Sequence, residues 1–322
     1  DPTSLYSEIL INRVYINDEF LEIDFNDGVN SKLNINKLAL EFSNEDIIIK
    51  SIPKTKWDST LKNIKNYEYQ DNFFESKEMH DLLVSFYKYG FVIIKNIPTN
   101  NNFIVKFANS IGSVRKTNFG EYFDVKSKPN PNDLAYTSLN LSPHTDNPYR
   151  NPVPCIQLLH CIENEVSGGL STLVDGFTVT EDLKNENLKF YKILCDVKVR
   201  FRFIDKEVVL EDWSELIKLN DDKTFKQVRF SPRMDYVPIL DKEKLDLYYK
   251  ARKKLSEMYN SKKYKIEFKL VSKDLMMIDN YRLLHGRTAY ETKEGNRFLQ
   301  GCYIDYDSTE GKLRHLKRKF NL

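Results

Sequence analysis

A histidine and a carboxylate stand two residues apart near the middle of the chain, at His144 and Asp146 in the stretch SPHTDNPY. In an extended strand, residues i and i+2 point to the same face, so one imidazole and one carboxylate can reach the same metal ion. The pair is weak evidence by itself, because chance produces it often in a chain rich in aspartate. An ordinary turn is the alternative, and a third ligand is needed to decide.

The best candidate for a third ligand is His285, one of five histidines in the chain. Its segment, LLHGRTAY, follows the apolar strand candidate DLMMIDN, and Gly286 lets the backbone bend close to a site. Two histidines and one carboxylate on one face leave three coordination positions open, which is the ligand set of non-haem Fe(II) oxygenases. His160 has apolar strand neighbours and no acid at i+2, so a structural role is favoured for it.

An arginine follows twelve residues later, where Arg297 begins the strand candidate RFLQGCYIDY. An arginine that faces a barrel interior is costly unless it pairs with an anion, and its planar guanidinium matches a carboxylate with two hydrogen bonds. The predicted anion is the distal carboxylate of 2-oxoglutarate, whose keto acid end would take two of the open positions on the metal. A salt bridge from Arg297 to an internal aspartate or glutamate is the alternative.

The elements that must position these residues are mainly short strands. RVYIND and FLEIDF alternate apolar and polar residues, and the turn signal NDG before VNSKLNI predicts a hairpin, so residues 1–56 are expected to form a small β domain. Helices are predicted over SKEMHDLLVSFYKYG, with Gly90 as the C-terminal cap, and over DKEKLDLYYKARKKLSEMYN. Beyond Cys155, short apolar segments between turns predict that residues 57–322 form a sandwich or barrel with flanking helices.

Composition narrows the classes of function. The 49 basic and 47 acidic residues nearly cancel, and neither sign collects in a long block, so binding to nucleic acid or to an anionic membrane is not indicated. No apolar run approaches the roughly 20 residues that span a bilayer, and the first residues lack the pattern of a signal peptide, so a cytoplasmic protein is expected. The four cysteines form no CxxC pair, which argues against a disulfide framework or a tetrathiolate zinc site.

Three segments together resemble one known family. HTDNPYRNPVPCIQLLHCIENEVSGGLSTLVDGF, DNYRLLHGRTAY and RFLQGCYIDYD are similar to the γ-butyrobetaine and trimethyllysine hydroxylases of the taurine dioxygenase-like superfamily, and the resemblance runs from about Trp57 to the C-terminus. It implies a double-stranded β-helix, or jelly roll, after a small N-terminal β domain, commonly as a homodimer. It also implies an iron ion held by His144, Asp146 and His285. The implied 2-oxoglutarate site consists of Arg297, Leu159, Ser171 and Thr172.

The resemblance further implies an aromatic cage for a trimethylammonium group. The matching positions are Phe119, Phe123, Tyr136 and Tyr303. A quaternary ammonium cannot donate hydrogen bonds, so ring faces are its best partners, each worth roughly 0.5 to 2 kcal/mol. Without the resemblance these aromatics would be assigned to the core, because the chain has 19 Tyr and 20 Phe.

The chain departs from the family pattern in two places. Residues 1–79 contain neither Cys nor His, so the zinc that many relatives bind in the N-terminal domain is not expected. Asp133 and the segment RFSPR, which ends at Arg233, stand where the butyrobetaine enzymes use asparagines to hold the substrate carboxylate, and Asn147 replaces a cage aromatic. An anionic Asp133 would repel a carboxylate unless a cation such as Arg233 offsets it, so the second end of the substrate stays open.

The sequence therefore predicts an Fe(II)- and 2-oxoglutarate-dependent hydroxylase that consumes O2 and acts on a small trimethylammonium compound, with ascorbate as the in vitro reductant. γ-Butyrobetaine, which would give carnitine, is the first candidate substrate, and 2-trimethylaminoethylphosphonate or another quaternary amine is the alternative. Two rivals come from other classes. A metal-binding cupin would need neither Arg297 nor the cage, and a non-catalytic module would bind a methylated ammonium ligand without turnover.

Overall fold

The structure is a computed structural model that describes residues 8–42, 49, 52–62, 65–100, 102–126 and 137–322. The chain divides into two compact units, residues 1–53 and 54–322. Among the residues described, no helix combines the length and the apolar character needed to cross a membrane.

The elements are labelled in chain order. The strands are β1 (Ile11–Asn17), β2 (Phe20–Phe25), β3 (Asn30–Asn34), β4 (Asn66–Glu68), β5 (Phe91–Lys95), β6 (Phe123–Val125), β7 (Leu141–His144), β8 (Ile156–Asn164), β9 (Ser171–Asp175), β10 (Val199–Ile204), β11 (Val209–Ser214), β12 (Ile217–Leu219), β13 (Phe225–Val228), β14 (Asp235–Tyr236), β15 (Lys265–Phe268), β16 (Leu275–Asp279), β17 (Leu283–Arg287) and β18 (Arg297–Ile304). The helices are α1 (Ile35–Phe42), α2 (Lys77–Tyr89), α3 (Phe103–Asn109), α4 (Gly176–Glu186), α5 (Leu188–Asp196), α6 (Lys242–Asn260) and α7 (Tyr306–Phe320).

The smaller unit contains a three-stranded antiparallel sheet in the order β1-β2-β3. The predicted turn joins β2 to β3, and Gly28 there has a φ of 83°, which a residue without a Cβ adopts at little cost. The two predicted strands and the turn are confirmed. Helix α1, which follows β3, was not predicted.

Two sheets build the larger unit. One has four strands in the order β15-β9-β17-β7, and the other has six in the order β4-β5-β16-β8-β18-β6. Strands β7 to β9 and β15 to β18 alternate between the two sheets along the chain, which is the winding of a jelly roll. Side chains from both sheets, such as Leu173 and Leu283 from one and Met276 and Leu299 from the other, form one buried cluster. The barrel interior therefore contains a packed apolar core, and Met276 and Leu299 of this core also line a cavity.

Helices cover the outer faces of both sheets. Met79, Leu82, Leu83 and Phe86 of α2 are buried at helical spacing, and α2 packs against β5 and against α7. Gly90 ends α2 in the left-handed conformation, as predicted. Helices α4, α5 and α6 pack with outward-facing residues of β9 and β17 in a second buried cluster.

A buried ion pair ties the four-stranded sheet to the segments around it. Arg282, which is 1% exposed, donates from Nε and Nη2 to the two carboxylate oxygens of Asp175, over 2.9 and 2.8 Å. The same guanidinium donates to the backbone carbonyl oxygens of Thr55 and Lys88. Asp175 in turn accepts from the backbone N–H of Phe177 at the start of α4. All of these groups are removed from water when the protein folds. Each therefore depends on the others for its hydrogen bonds.

We expect the Arg282→Met substitution to lower the free energy of unfolding by about 3 to 5 kcal/mol, because it leaves the Asp175 carboxylate buried without its counter-ion. Urea unfolding followed by circular dichroism measures the change. The matched control is Lys253→Met, which removes an exposed ion pair with Glu257 and should change the free energy by no more than about 1 kcal/mol. Equal effects of the two substitutions would contradict the importance of this ion pair.

Candidate active site

Strand register brings His144 and His285 together. Strands β7 and β17 are antiparallel neighbours in which these two residues are direct partners, and the centroids of their rings lie 4.5 Å apart. Gly286 permits this approach, because a Cβ at that position would lie 2.4 Å from the carbonyl oxygen of Leu141. A bulkier residue would push the two ligand-bearing strands apart.

Asp146 lies two residues beyond the end of β7 and completes the cluster. Its Oδ1 lies 3.5 Å from Nε2 of His144 and 3.6 Å from Nε2 of His285, and one ligand atom from each residue lies within 4.8 Å of the others. The structure therefore brings together the three residues that the sequence proposed as metal ligands.

A buried asparagine holds the backbone of Asp146 in place. Asn280, which is 1% exposed, accepts from the Asp146 N–H through Oδ1 over 2.8 Å. Its Nδ2 donates to the carbonyl oxygens of Asp146 and Pro154, over 3.0 and 2.9 Å. Sequence reasoning missed this residue, although it ends the quoted segment DLMMIDN, because no local pattern shows which distant backbone an asparagine will bind.

The protonation states of the cluster suit a divalent metal. His144 Nδ1 lies 2.9 Å from the carbonyl oxygen of Ser142, so Nδ1 is assigned the hydrogen and the lone pair of Nε2 faces Asp146. Burial lowers the pKa of His285 to about 4, so its imidazole is neutral at neutral pH. Burial alone would raise the pKa of Asp146, but its interactions with His285 and His144 outweigh burial and lower it, so a carboxylate faces the imidazoles. Imidazole and carboxylate donors converging on one point fit Fe(II).

The second oxygen of Asp146 has its own partners. Oδ2 accepts from the hydroxyl of Tyr303 over 2.7 Å and from Nε2 of Gln157. Burial and the neighbouring Asp146 raise the pKa of Tyr303 well above its usual value, so the hydroxyl keeps the proton that it donates. The two carboxylate oxygens therefore have different surroundings, one facing the imidazoles and one facing two donors.

Arg297 lines the same cavity and is 8% exposed. Within the described part of the chain no carboxylate forms an ion pair with it, and its Nε has no hydrogen-bond partner. Burial and the nearby Arg287 lower its pKa to about 10, so it stays charged. The alternative of an internal salt bridge therefore finds no support among these residues. A buried guanidinium in this state fits an anionic ligand such as the carboxylate of 2-oxoglutarate.

Two of the three other predicted cosubstrate residues line the cavity. Leu159 and Ser171 do, whereas Thr172 does not. In the register of β9 and β17, Leu173 is opposite His285 and Thr172 is opposite Gly286. Since alternate strand residues face opposite sides of a sheet, Thr172 points away from the metal-binding cluster.

Aromatic rings form one wall of the cavity. Phe119, Phe123 and Tyr303 all line it, with ring centroids 6.4 Å apart for the first pair and 5.4 Å for Phe123 and Tyr303. Two rings that sequence reasoning did not assign to the cage extend this wall: Phe203 of β10 lies 5.7 Å from Phe119 and stacks on Tyr149 at 4.9 Å. Nothing in the spacing of the sequence links β10 to the loop that carries Phe119.

The structure describes two of the polar residues that were predicted to contact the substrate. Asn147 and Arg233 both border the cavity. Asn147 accepts from the Tyr149 hydroxyl through Oδ1, and its buried Nδ2 has no hydrogen-bond partner. Asp133 and Tyr136 lie outside the described residues. The cavity thus offers a donor and a cation beside its aromatic wall.

Comparison with known proteins identifies the family. Residues 60–303 match the family described as taurine catabolism dioxygenase TauD, TfdA family. The chain belongs to this family. The TauD-family chain is 33% identical over 229 residues to the γ-butyrobetaine dioxygenase of Pseudomonas sp. (strain AK-1), covering 71% of this chain and 60% of that protein. It is 31% identical over 278 residues to the γ-butyrobetaine dioxygenase of Homo sapiens, covering 82% of this chain and 69% of that protein. The resemblance recognised in the sequence is confirmed.

A solved structure agrees on the fold of the TauD-family chain. The non-haem iron oxygenase OrfP, whose crystal structure is in complex with Fe and α-ketoglutaric acid, matches with a TM-score of 0.53 and 14% identity, covering 76% of this chain and 95% of that one. The predicted fold class, mainly β with flanking helices around a jelly roll, is confirmed.

Gly301 allows the Phe123 ring to lie against β18. The two residues are partners across β6 and β18, and a Cβ on Gly301 would lie 2.4 Å from Cζ of Phe123. We expect Gly301→Ala to displace this ring and to weaken the binding of a quaternary ammonium probe, here γ-butyrobetaine, about fivefold or more, the loss of roughly one ring contact. Calorimetry in the presence of Mn(II) and 2-oxoglutarate measures the affinity. Gly311→Ala is the matched control, since a Cβ there meets nothing within 4 Å. An unchanged affinity of Gly301→Ala would show that this wall does not contact the ligand.

Proposed function

We propose that this TauD-family protein is an Fe(II)- and 2-oxoglutarate-dependent dioxygenase that hydroxylates a small trimethylammonium compound. One observation carries the proposal: a single cavity is lined by three metal-binding residues, by a buried arginine without a carboxylate partner among the described residues, and by aromatic rings. A cupin would need only the first of these, and a binding module only the last.

The residues have distinct roles in the proposed reaction. His144, Asp146 and His285 would hold the metal, and Arg297 would receive the distal carboxylate of 2-oxoglutarate with two hydrogen bonds. Bound iron, with 2-oxoglutarate and O2, supplies the oxidising chemistry, and succinate and CO2 are the co-products. The apolar side chains of Leu159, Met276 and Leu299 line the cavity and exclude water from it. The protein's contribution is orientation and a dry environment.

The aromatic wall determines which carbon of the substrate faces the metal. Phe119, Phe123 and Tyr303, extended by Tyr149 and Phe203, present ring faces to a group that cannot donate hydrogen bonds. Fixing the ammonium end at this wall places a carbon a fixed number of bonds away near the iron, and small misplacements reduce rates steeply. The names of the relatives support a substrate of this class.

The group at the other end of the substrate distinguishes the candidates. Arg233 is exposed at the border of the cavity and Asn147 offers a buried N–H, so an anion is the proposed partner. The carboxylate of γ-butyrobetaine is the first candidate, with carnitine as the product, and the phosphonate of 2-trimethylaminoethylphosphonate is the second. A homodimer, a cytoplasmic location and ascorbate as the in vitro reductant stay predictions.

We expect wild-type protein with Fe(II), O2 and a trimethylammonium compound to release succinate from 2-oxoglutarate. His144→Ala should abolish this release. Arg297→Met should raise the KM for 2-oxoglutarate roughly 10- to 150-fold, since a hydrogen bond to a charged group contributes about 1.5 to 3 kcal/mol. Succinate is measured by NMR. His315→Ala and Arg318→Met, both exposed on α7, are the matched controls. No release from any tested compound, or an active His144→Ala variant, would exclude the oxygenase.

The substrate is tested by a panel of γ-butyrobetaine, trimethyllysine, 2-trimethylaminoethylphosphonate and the isostere of γ-butyrobetaine in which an uncharged tert-butyl group replaces the trimethylammonium group. We expect the isostere to have a KM at least about fivefold higher, because it lacks the attraction between a cation and the rings. Phe123→Ala should raise the KM for the cationic compound and leave uncoupled decarboxylation of 2-oxoglutarate largely intact. Equal loss of both activities, or equal KM values for the two isosteres, would argue against the cage.

A further inference from the structure

The surroundings of Asp146 contain a feature that metal binding alone does not require. Oδ1 faces the two imidazoles, while Oδ2 accepts from both the Tyr303 hydroxyl and the Gln157 amide. A carboxylate can bind a metal through one or both oxygens, and an exposed one rotates freely between these modes. Two donors on Oδ2 leave only Oδ1 available, so they select one mode.

The two donors reach Asp146 from the opposite sheet. Tyr303 of β18 and Gln157 of β8 are direct partners in the six-stranded sheet, so their side chains leave the same face next to each other. Asp146 follows β7 of the four-stranded sheet. The hydrogen bonds therefore cross the barrel interior, and both donor residues are buried, at 4% and 2% exposure.

The hydroxyl of Tyr303 is not needed for the aromatic wall. Phe119 and Phe123 line the same wall without a hydroxyl, and the Tyr303 ring lies 5.4 Å from that of Phe123. The ring thus belongs to the wall, whereas the hydroxyl binds Asp146. One side chain therefore takes part in both parts of the site, through a ring contact with Phe123 and a hydrogen bond to the carboxylate.

We propose that Tyr303 and Gln157 are positioning residues that fix Asp146 as a ligand through one oxygen only. The inference rests on the proposed function, because it concerns the same metal site. Partners that orient a ligating side chain typically change metal affinity 10- to 100-fold when removed. Holding Asp146 to one oxygen also keeps a further coordination position open for other ligands.

The test compares Mn(II) affinity, measured by calorimetry without substrate or turnover, in four variants. Tyr303→Phe removes the hydroxyl and keeps the ring, and Gln157→Met removes the amide donor at similar length. We expect each to weaken Mn(II) binding about tenfold or more. Tyr248→Phe is the matched control, because Tyr248 is a fully buried tyrosine of α6 that does not line the cavity, and we expect it to leave Mn(II) binding unchanged. Tyr303→Leu removes both hydroxyl and ring.

A second readout separates positioning from general destabilisation. With Mn(II) and 2-oxoglutarate at saturation, Tyr303→Phe should bind γ-butyrobetaine within about twofold of wild type, whereas Tyr303→Leu should lose at least about fivefold. The melting temperature of the metal-free protein is recorded for each variant, and a structural role alone would lower it without changing the Mn(II) affinity of the folded fraction. Mn(II) affinities of Tyr303→Phe and Gln157→Met within twofold of wild type would overturn the inference. Wild-type protein that binds no Mn(II) would instead overturn the proposed function.

Discussion

The pairing of β7 with β17 is the contact on which the rest of the site depends. It sets His144 opposite His285, and it is this close because Gly286 has no side chain to meet the backbone of β7. Asp146 then falls next to both imidazoles, because it follows the end of β7 by two residues. Asn280 fixes its backbone from the turn that leads into β17. Ligands from two segments distant in sequence thus depend on one strand pairing and on the hydrogen bonds of Asn280.

The buried polar groups of the barrel differ in how many of their hydrogen bonds and ion pairs are made within the protein. A buried group that lacks such a partner indicates where a ligand binds. Arg282 and Asp175 form two hydrogen bonds with each other and further ones with neighbouring groups of the protein, so this pair is structural. Arg297 is also buried, yet no carboxylate among the described residues pairs with it. Because burying a charge without a partner is costly, a group of this kind is kept where a ligand supplies the partner. The two oxygens of Asp146 differ in the same way, because Oδ2 accepts hydrogen bonds from Tyr303 and Gln157, whereas Oδ1 faces the two imidazoles and is left for a metal.

Much of the scaffold could be predicted from local patterns. Short apolar segments between turns gave most of the strands around the site, and helical spacing gave α2 and α6, because each pattern reflects a buried surface. Helices α4 and α5 and the small sheets formed by β10 to β14 were largely missed. The first turn of α4 contains Gly176, Thr178 and Val179, which are poor helix formers. Packing against β17 and α6 overrides their propensity, and no single-segment pattern reports such packing.

The sequence by itself determined the donor types, the family and the segments that carry the ligands, because these follow from residue chemistry, from motif segments and from short-range periodicity. It could not show that Phe203 joins the aromatic wall, that Asn280 clamps Asp146, that Thr172 faces away from the cavity, or that Tyr303 and Gln157 share one carboxylate oxygen. Those relations were decided only by tertiary structure. They depend on the register between neighbouring strands and on contacts between the two sheets across the barrel interior. A shift of one residue in the register of a strand would move all of its side chains to the opposite face of the sheet.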